Sequence, residues 1–233
     1  GAKPSEVVFT SGASEANQSA LSHMARDGQA IVALATEHPA VLAPLEALDV
    51  PIRVLGVDAE GLVDLEELAD ALVGASGLVA MGANNETGVI QDLDGIAACV
   101  AERGVAWHCD AVQLMRWGAI DFQHGFAKHI SSLALSGHKL GAPQGVGALV
   151  VRGGVLEPLI RGGAQQKGRR AGTLPVQAIG ALGVAVAQAP TSSAGVARLR
   201  ERLEKALMEY FPGSVVHGAG AARIPNTSFV AIA

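Results

Sequence analysis

Short apolar runs alternate with amphipathic stretches along nearly the whole chain, and few architectures accommodate that rhythm. The strand-like runs are residues 6–10, 30–35, 51–57, 77–82, 105–109, 130–136 and 146–151. Between them, helical periodicity covers residues 14–26, 39–48, 64–73 and 92–103. The runs are mainly apolar rather than strictly alternating, which suits strands buried on both faces. The pattern predicts an α/β fold with a mainly parallel sheet and helices on both sides. A further helix is expected over 175–189. Another follows, with apolar residues at Val196, Leu199, Leu203, Leu207 and Tyr210. The turn-rich seam from Ala189 to Gly195 between them divides a large domain, 1–190, from the start of a smaller one, 191–233. The chain begins just before one strand-like run and stops inside another, Ser228–Ile232, so it reads as part of a longer protein.

Length and composition narrow the classes. At 233 residues the chain suits one large domain, or one domain and part of another. With 49% hydrophobic but only 3% aromatic residues, its core must be built from Ala, Val, Leu and Ile. A net charge of −5 without a basic stripe argues against a nucleic-acid surface. No apolar run of about 18 residues and no signal-peptide pattern appear, which predicts a cytoplasmic protein with no membrane partner. Cys99 and Cys109 have neither metal-site spacing nor the number a disulfide framework needs, so a reducing compartment and no metal are expected.

In a parallel sheet, ligands gather at the carboxyl ends of the strands. Thr10-Ser11-Gly12, Asn84-Asn85, Asp110 and Lys139 all follow strand-like runs and could converge on one crevice. Ser136-Gly137-His138-Lys139 delivers a lysine at such an exit, and Asp110 ends the earlier run Val105–Cys109. An amine that can bond an aldehyde, with an acid to keep a pyridine nitrogen protonated, is what pyridoxal phosphate (PLP) requires. Thr10–Glu15 passes from strand to helix, where unpaired N–H groups and small residues can receive a phosphate; Ser14 alone reads equally as a helix cap. His38 follows a strand and could stack on a ring or serve as a loop residue. Asn85 could face a ligand or belong to a turn. Asp110 could equally be an N-cap, and Gln113 would lie one turn on if a helix begins there. Cys109 should point away from Asp110 and read as a buried thiol. Residues 161–173 form a basic, flexible run that alone would be a solvated loop and would also suit an anion.

Taken together and in this order, Thr10–Glu15, Glu37-His38, Asn84–Asp92, His108–Gln113, Ser136–Lys139 and Arg169–Thr173 resemble the cysteine desulfurases of the iron–sulfur-cluster assembly type. These belong to the class V aminotransferase branch of fold-type I PLP enzymes. The resemblance implies a three-layer large domain. It implies catalytic roles for Lys139, which bonds the cofactor and carries the substrate α-proton, and for His38, which stacks on the ring. Asp110 would pair with the pyridine nitrogen and Gln113 with the phenolic oxygen. Ala13, Ser14, Ser136 and His138 would bind the phosphate, and Asn85 would lie by the phenolic oxygen and the substrate carboxylate. Thr173 would reach the phosphate of a neighbouring subunit, implying a homodimer. The implied reaction takes sulfur from L-cysteine, releases alanine, and leaves a persulfide for a sulfur-acceptor protein. A selenocysteine lyase, a small-amino-acid aminotransferase and a non-catalytic scaffold of the same fold are the alternatives. Ser14 stands where a threonine is more usual, and Gln166 where glutamate is frequent. The family's persulfide cysteine and substrate-carboxylate arginine would lie beyond Ala233, so this stretch alone is expected to be inactive.

Overall fold

The computed structural model describes residues 1–118, 120–189 and 193–233. A seven-stranded sheet forms its centre: β1 (Val7–Thr10), β2 (Ala30–Leu34), β3 (Ile52–Leu55), β4 (Ala75–Val79), β5 (Ala106–Asp110), β6 (Ser132–Ser136) and β7 (Gly147–Val151). The spatial order is β1-β7-β6-β5-β4-β2-β3, and only β7 runs against its neighbours. The run expected at 77–82 starts earlier, because the preceding helix ends by Leu72 and frees Ala75 to pair with Ala30. Its last residues leave the ladder but still bond β5, through Ala80 N–H to His108 O at 3.1 Å and Gly82 N–H to Asp110 O at 3.0 Å.

Helices α1 (Ala13–Met24) and α2 (Pro39–Glu46) cover one face. Their Ala16, Ala20, Leu21, Val41 and Leu45 pack on Val8, Ile31, Ala33, Val79, Ala134 and Leu149. The other face is covered by α3 (Leu65–Ala71) and α4 (Leu93–Arg103), with Leu68, Ile96 and Val100 against Val32, Leu34, Leu78, Trp107 and Leu133. Ile31 and Val32 point opposite ways and both are fully buried, so the continuous apolar run is explained by burial on two faces. Each such side chain removed from water stabilises the fold by about 1.5–3 kcal/mol. Trp107 is the largest fully buried side chain, and its indole N–H finds the Ala80 carbonyl at 3.1 Å. The edge strand β3 is the exception, exposing Arg53 and Val54.

Local chemistry aims the helices. Asp64 and Asp92 cap α3 and α4, and Gly104 closes α4 with a left-handed φ of 64°. His38 caps α2, with Pro39 at its first position. A single helical turn, α5 (Gly137–Leu140), follows β6 directly. Gly147 is required where β7 passes the end of β1: a Cβ there would lie 2.6 Å from Leu135 O and 2.7 Å from the Gly12 Cα.

The chain continues through α6 (Val176–Ala187), α7 (Ala194–Tyr210) and a two-stranded hairpin, β8 (Val215–Val216) with β9 (Val230–Ala231). The expected boundary at 190/191 lies outside the described residues. The segment between β8 and β9 bonds straight back to the large sheet's connections, with Ile224 N–H to Gly88 O and Ile90 N–H to Ala222 O, both at 2.8 Å. Glu204 on α7 takes Arg223 bidentately at 2.8 and 3.0 Å, fixing the same segment from the other side.

Candidate active site

The carboxyl ends of the strands enclose a cavity of about 490 Å³. Ala13, Ser14, His38, Asn85, Asp110, Gln113, Ser136, His138 and Lys139 all line it, together with Met81, Ala83 and Val112. Of the residues expected at the site, Thr173 alone is not brought there; it is exposed on the loop leading to α6.

One end of the cavity suits an anion. The first turn of α1 faces it, and the N-cap is Gly12 without a side-chain bond. Ser14 therefore does not cap α1; its exposed hydroxyl lines the cavity instead. Opposite lie the buried Ser136 and the exposed His138, with Ser136 Oγ and His138 Nδ1 2.9 Å apart. Unpaired helix N–H groups, two hydroxyls and an imidazole form a phosphate-compatible set. Glu15 does not add repulsion freely, because its carboxylate is engaged by Ser11 N–H at 2.8 Å and by the Arg170 guanidinium at 2.8 and 3.1 Å. Burial raises its pKa, but these bonds outweigh that and hold it below the ordinary value.

Asp110 forms the floor. Its Oδ1 accepts from Val112 N–H at 3.0 Å and its Oδ2 from the Asn17 amide at 2.8 Å. Burial dominates and raises its pKa above the ordinary carboxylate value, with the bonds from Val112 and Asn17 working against that rise. No helix follows directly, so Asp110 is not the helix N-cap expected as one alternative; the Val112 bond closes the turn after β5 and coexists with a carboxylate facing the cavity. Residues 112–117 form successive turns rather than a helix, and Gln113 reaches the cavity from them. Cys109 points away into the opposite core, fully buried, with burial raising its thiol well above the ordinary range.

Above the floor, His38 Nδ1 accepts from Ala40 N–H at 3.0 Å, which fixes the ring and leaves its proton on Nε2. The two asparagines divide the readings open in the sequence. Asn84 serves the turn, accepting from Glu86 and Thr87 N–H at 2.9 Å each, whereas Asn85 lines the cavity. Lys139 sits exposed on the one-turn helix α5, reached as β6 ends.

Two arginines of the basic run are tied into the molecule, whereas Arg161 and Lys167 are exposed. Arg169 donates to Ser5, Val7, Gly154 and Gln166 carbonyls, and Arg170 is held by Glu15. The Gln166 amide brackets Phe9, accepting from its N–H at 2.7 Å and donating to its carbonyl at 2.8 Å. Both arginines thus close the molecule on itself rather than facing a ligand. Asn17 was missed in the sequence, although it interrupts the apolar stripe of α1 that contains Ala16, Ala20 and Leu21. Among the described residues, no cluster of His, Cys, Asp and Glu could hold a metal ion, and no helix is long and apolar enough to cross a membrane.

These donors fit PLP: a primary amine, a buried carboxylate whose two oxygens each already accept one protein N–H, and an anion seat, all on one cavity. Comparison with known proteins agrees. The Aminotransferase class-V family profile matches residues 1–215. A cysteine desulfurase of Gluconacetobacter diazotrophicus is 42% identical over 97% of this chain and 59% of its own length. The structure resembles a NifS-like protein from Rickettsia africae, with a TM-score of 0.88 and 30% identity over 97% of this chain and 64% of that one. It also resembles SspA in complex with cysteine, with a TM-score of 0.87 and 33% identity over 99% of this chain and 67% of that one. The chain spans about 59% of the length of curated relatives it matches. By the family profile, the arrangement of the site and these likenesses, the chain belongs to the class-V aminotransferases.

Proposed function

We propose that the protein removes sulfur from L-cysteine with PLP as cofactor, and that the cavity described is its cofactor site. One observation carries the reading: Lys139, Asp110 and the anion seat at α1 line a single cavity. When bound, PLP supplies an electron sink for charge developing on the substrate carbon. Lys139 would hold the cofactor through its Nζ amine and would carry the substrate α-proton. Asp110 keeps the ring nitrogen protonated. His38, its ring fixed by Ala40 N–H, would stack on the cofactor. Ala13, Ser14, Ser136 and His138 would seat the phosphate, Gln113 would hold the phenolic oxygen, and Asn85 would orient the substrate carboxylate.

The sulfur-accepting thiol is neither of the chain's own cysteines, because Cys109 is buried on the opposite face of β5 and Cys99 lies on α4, outside the cavity. Thr173, exposed on a loop anchored by Arg169 and Arg170, reaches the phosphate of a second copy, so the working form is a homodimer. Release of sulfur to an acceptor protein for iron–sulfur clusters, in a reducing cytoplasm, suits the two free thiols. The test is reconstitution with PLP, borohydride reduction and peptide mapping. The cofactor is expected on Lys139, and Lys139→Ala should lose the visible absorbance of the lysine-bound cofactor. Labelling elsewhere, or unchanged absorbance in the variant, overturns the role of Lys139.

A further inference from the structure

Behind the cavity floor, three polar side chains lie where the sheet meets α1. Asn17 and His108 are fully buried and Ser132 is 9% exposed. None of them lines the cavity. Polar groups there are costly unless bonded, and they are bonded in series. Ser132 Oγ lies 2.8 Å from His108 Nδ1, His108 Nε2 lies 3.0 Å from Asn17 Oδ1, and Asn17 Nδ2 lies 2.8 Å from Asp110 Oδ2.

The chemistry of the groups sets a direction. An ionised Asp110 only accepts, so Asn17 must turn its NH₂ towards it. Asn17 Oδ1 then needs a donor, which requires the His108 proton on Nε2. His108 Nδ1 is left to accept from the Ser132 hydroxyl. Every donor in the series therefore points at Asp110, an arrangement in which each bond polarises the next. Burial lowers the His108 pKa to about 4, which matches the neutral ring this arrangement needs. The reverse order would demand a protonated Asp110, unable to take a proton from a ring nitrogen. Other titratable groups around Asp110 are the buried Glu37 and Cys109, whose negative forms Asp110 opposes, and His38 and Lys139, which line the same cavity.

We propose that Asn17 and His108 are positioning residues, forming a one-way donor chain that holds the Asp110 carboxylate ionised and turned towards the cofactor's ring nitrogen. The proposal rests on the PLP reading, and two measurements separate their fates. In cofactor-free protein, ¹³C NMR of the Asp110 carboxyl should show its pKa raised in Asn17→Ala. With PLP labelled with ¹⁵N in the ring, wild type should show a protonated nitrogen. Asn17→Ala and His108→Asn should move that resonance towards neutral pyridine and bind PLP about tenfold more weakly, about 1.4 kcal/mol. His108→Gln, whose amide nitrogen reaches where Nε2 sits, should keep the wild-type resonance, whereas asparagine is too short. A purely structural role would lower the melting temperature without this Gln-versus-Asn split. If Asn17→Ala does not fold, the two His108 variants decide. Identical Asp110 titration in wild type and Asn17→Ala, or identical behaviour of His108→Gln and His108→Asn, overturns the proposal. A wild type that does not bind PLP overturns the cofactor reading instead, and the carboxyl titration still tests the chain.

Discussion

At the scale of single residues, buried ionisable groups set the pH behaviour. Glu37 is buried, with Oε1 accepting from Met81 N–H at 2.6 Å and Oε2 unpartnered among the described residues. Burial pushes its pKa up to about 8, opposed by the Met81 bond and reinforced by Asp110. Between the ordinary value of 4.5 and about 8, the folded protein holds a proton that the unfolded chain has lost. Stability therefore falls as pH rises through that window. His108 acts the other way: its depressed pKa makes stability rise with pH from about 4 to its ordinary 6.5. The two separate in a difference measurement, because Glu37→Gln leaves His108 in place. The variant should gain on the order of a few kcal/mol over wild type between about pH 5 and about pH 9, read from urea unfolding. An unchanged pH dependence would mean that the folded protein already tolerates the ionised carboxylate.

At the scale of elements, the loop before α6 behaves as an extra partner for β1. Gln166 and Lys167 adopt left-handed φ angles of 50° and 62°, a strained geometry for residues with a Cβ. The paired bonds from Gln166 to Phe9 offset that strain as an added strand would. A glutamate keeps the acceptor facing Phe9 N–H but loses the donor to Phe9 O. Gln166→Glu should therefore cost about 1 kcal/mol in the urea midpoint at neutral pH and recover part of it on acidification, when the acid can donate again. A glutamate variant as stable as wild type at neutral pH would remove this account of the loop. The resemblance marked position 166 as a departure without a meaning; the meaning came from its distant partner.

At the scale of the whole molecule, α6 is almost wholly apolar yet buries only Leu182. Val176, Val184 and Val186 on it, and Leu199, Leu203 and Tyr210 on α7, are exposed. Contiguous exposed apolar surface commonly marks association. With the proposed homodimer, sedimentation at rising concentration should give a mass above the monomer's, and Val184→Asp should shift it towards the monomer. A monomer at every concentration would count against a shared site at Thr173.

The alternation of apolar runs determined the layered sheet by itself, because burial on two faces demands unbroken apolar strands whatever the partner elements are. The strand-end positions of Asp110 and Lys139 were legible for the same reason, since every parallel strand ends on one side of the sheet. Lys139 alone was a charge at a strand exit, and its surroundings turned it into one wall of a cavity with Asp110 as the floor. Tertiary structure alone decided that Ser14 is free of capping, that Arg169 and Arg170 face inward, and that Asn17 and His108 stand behind the acid. Those outcomes depend on which distant groups meet, as Asn17 meets Asp110 across 93 positions of chain. Local periodicity carries the direction of a side chain but not the identity of what it will face.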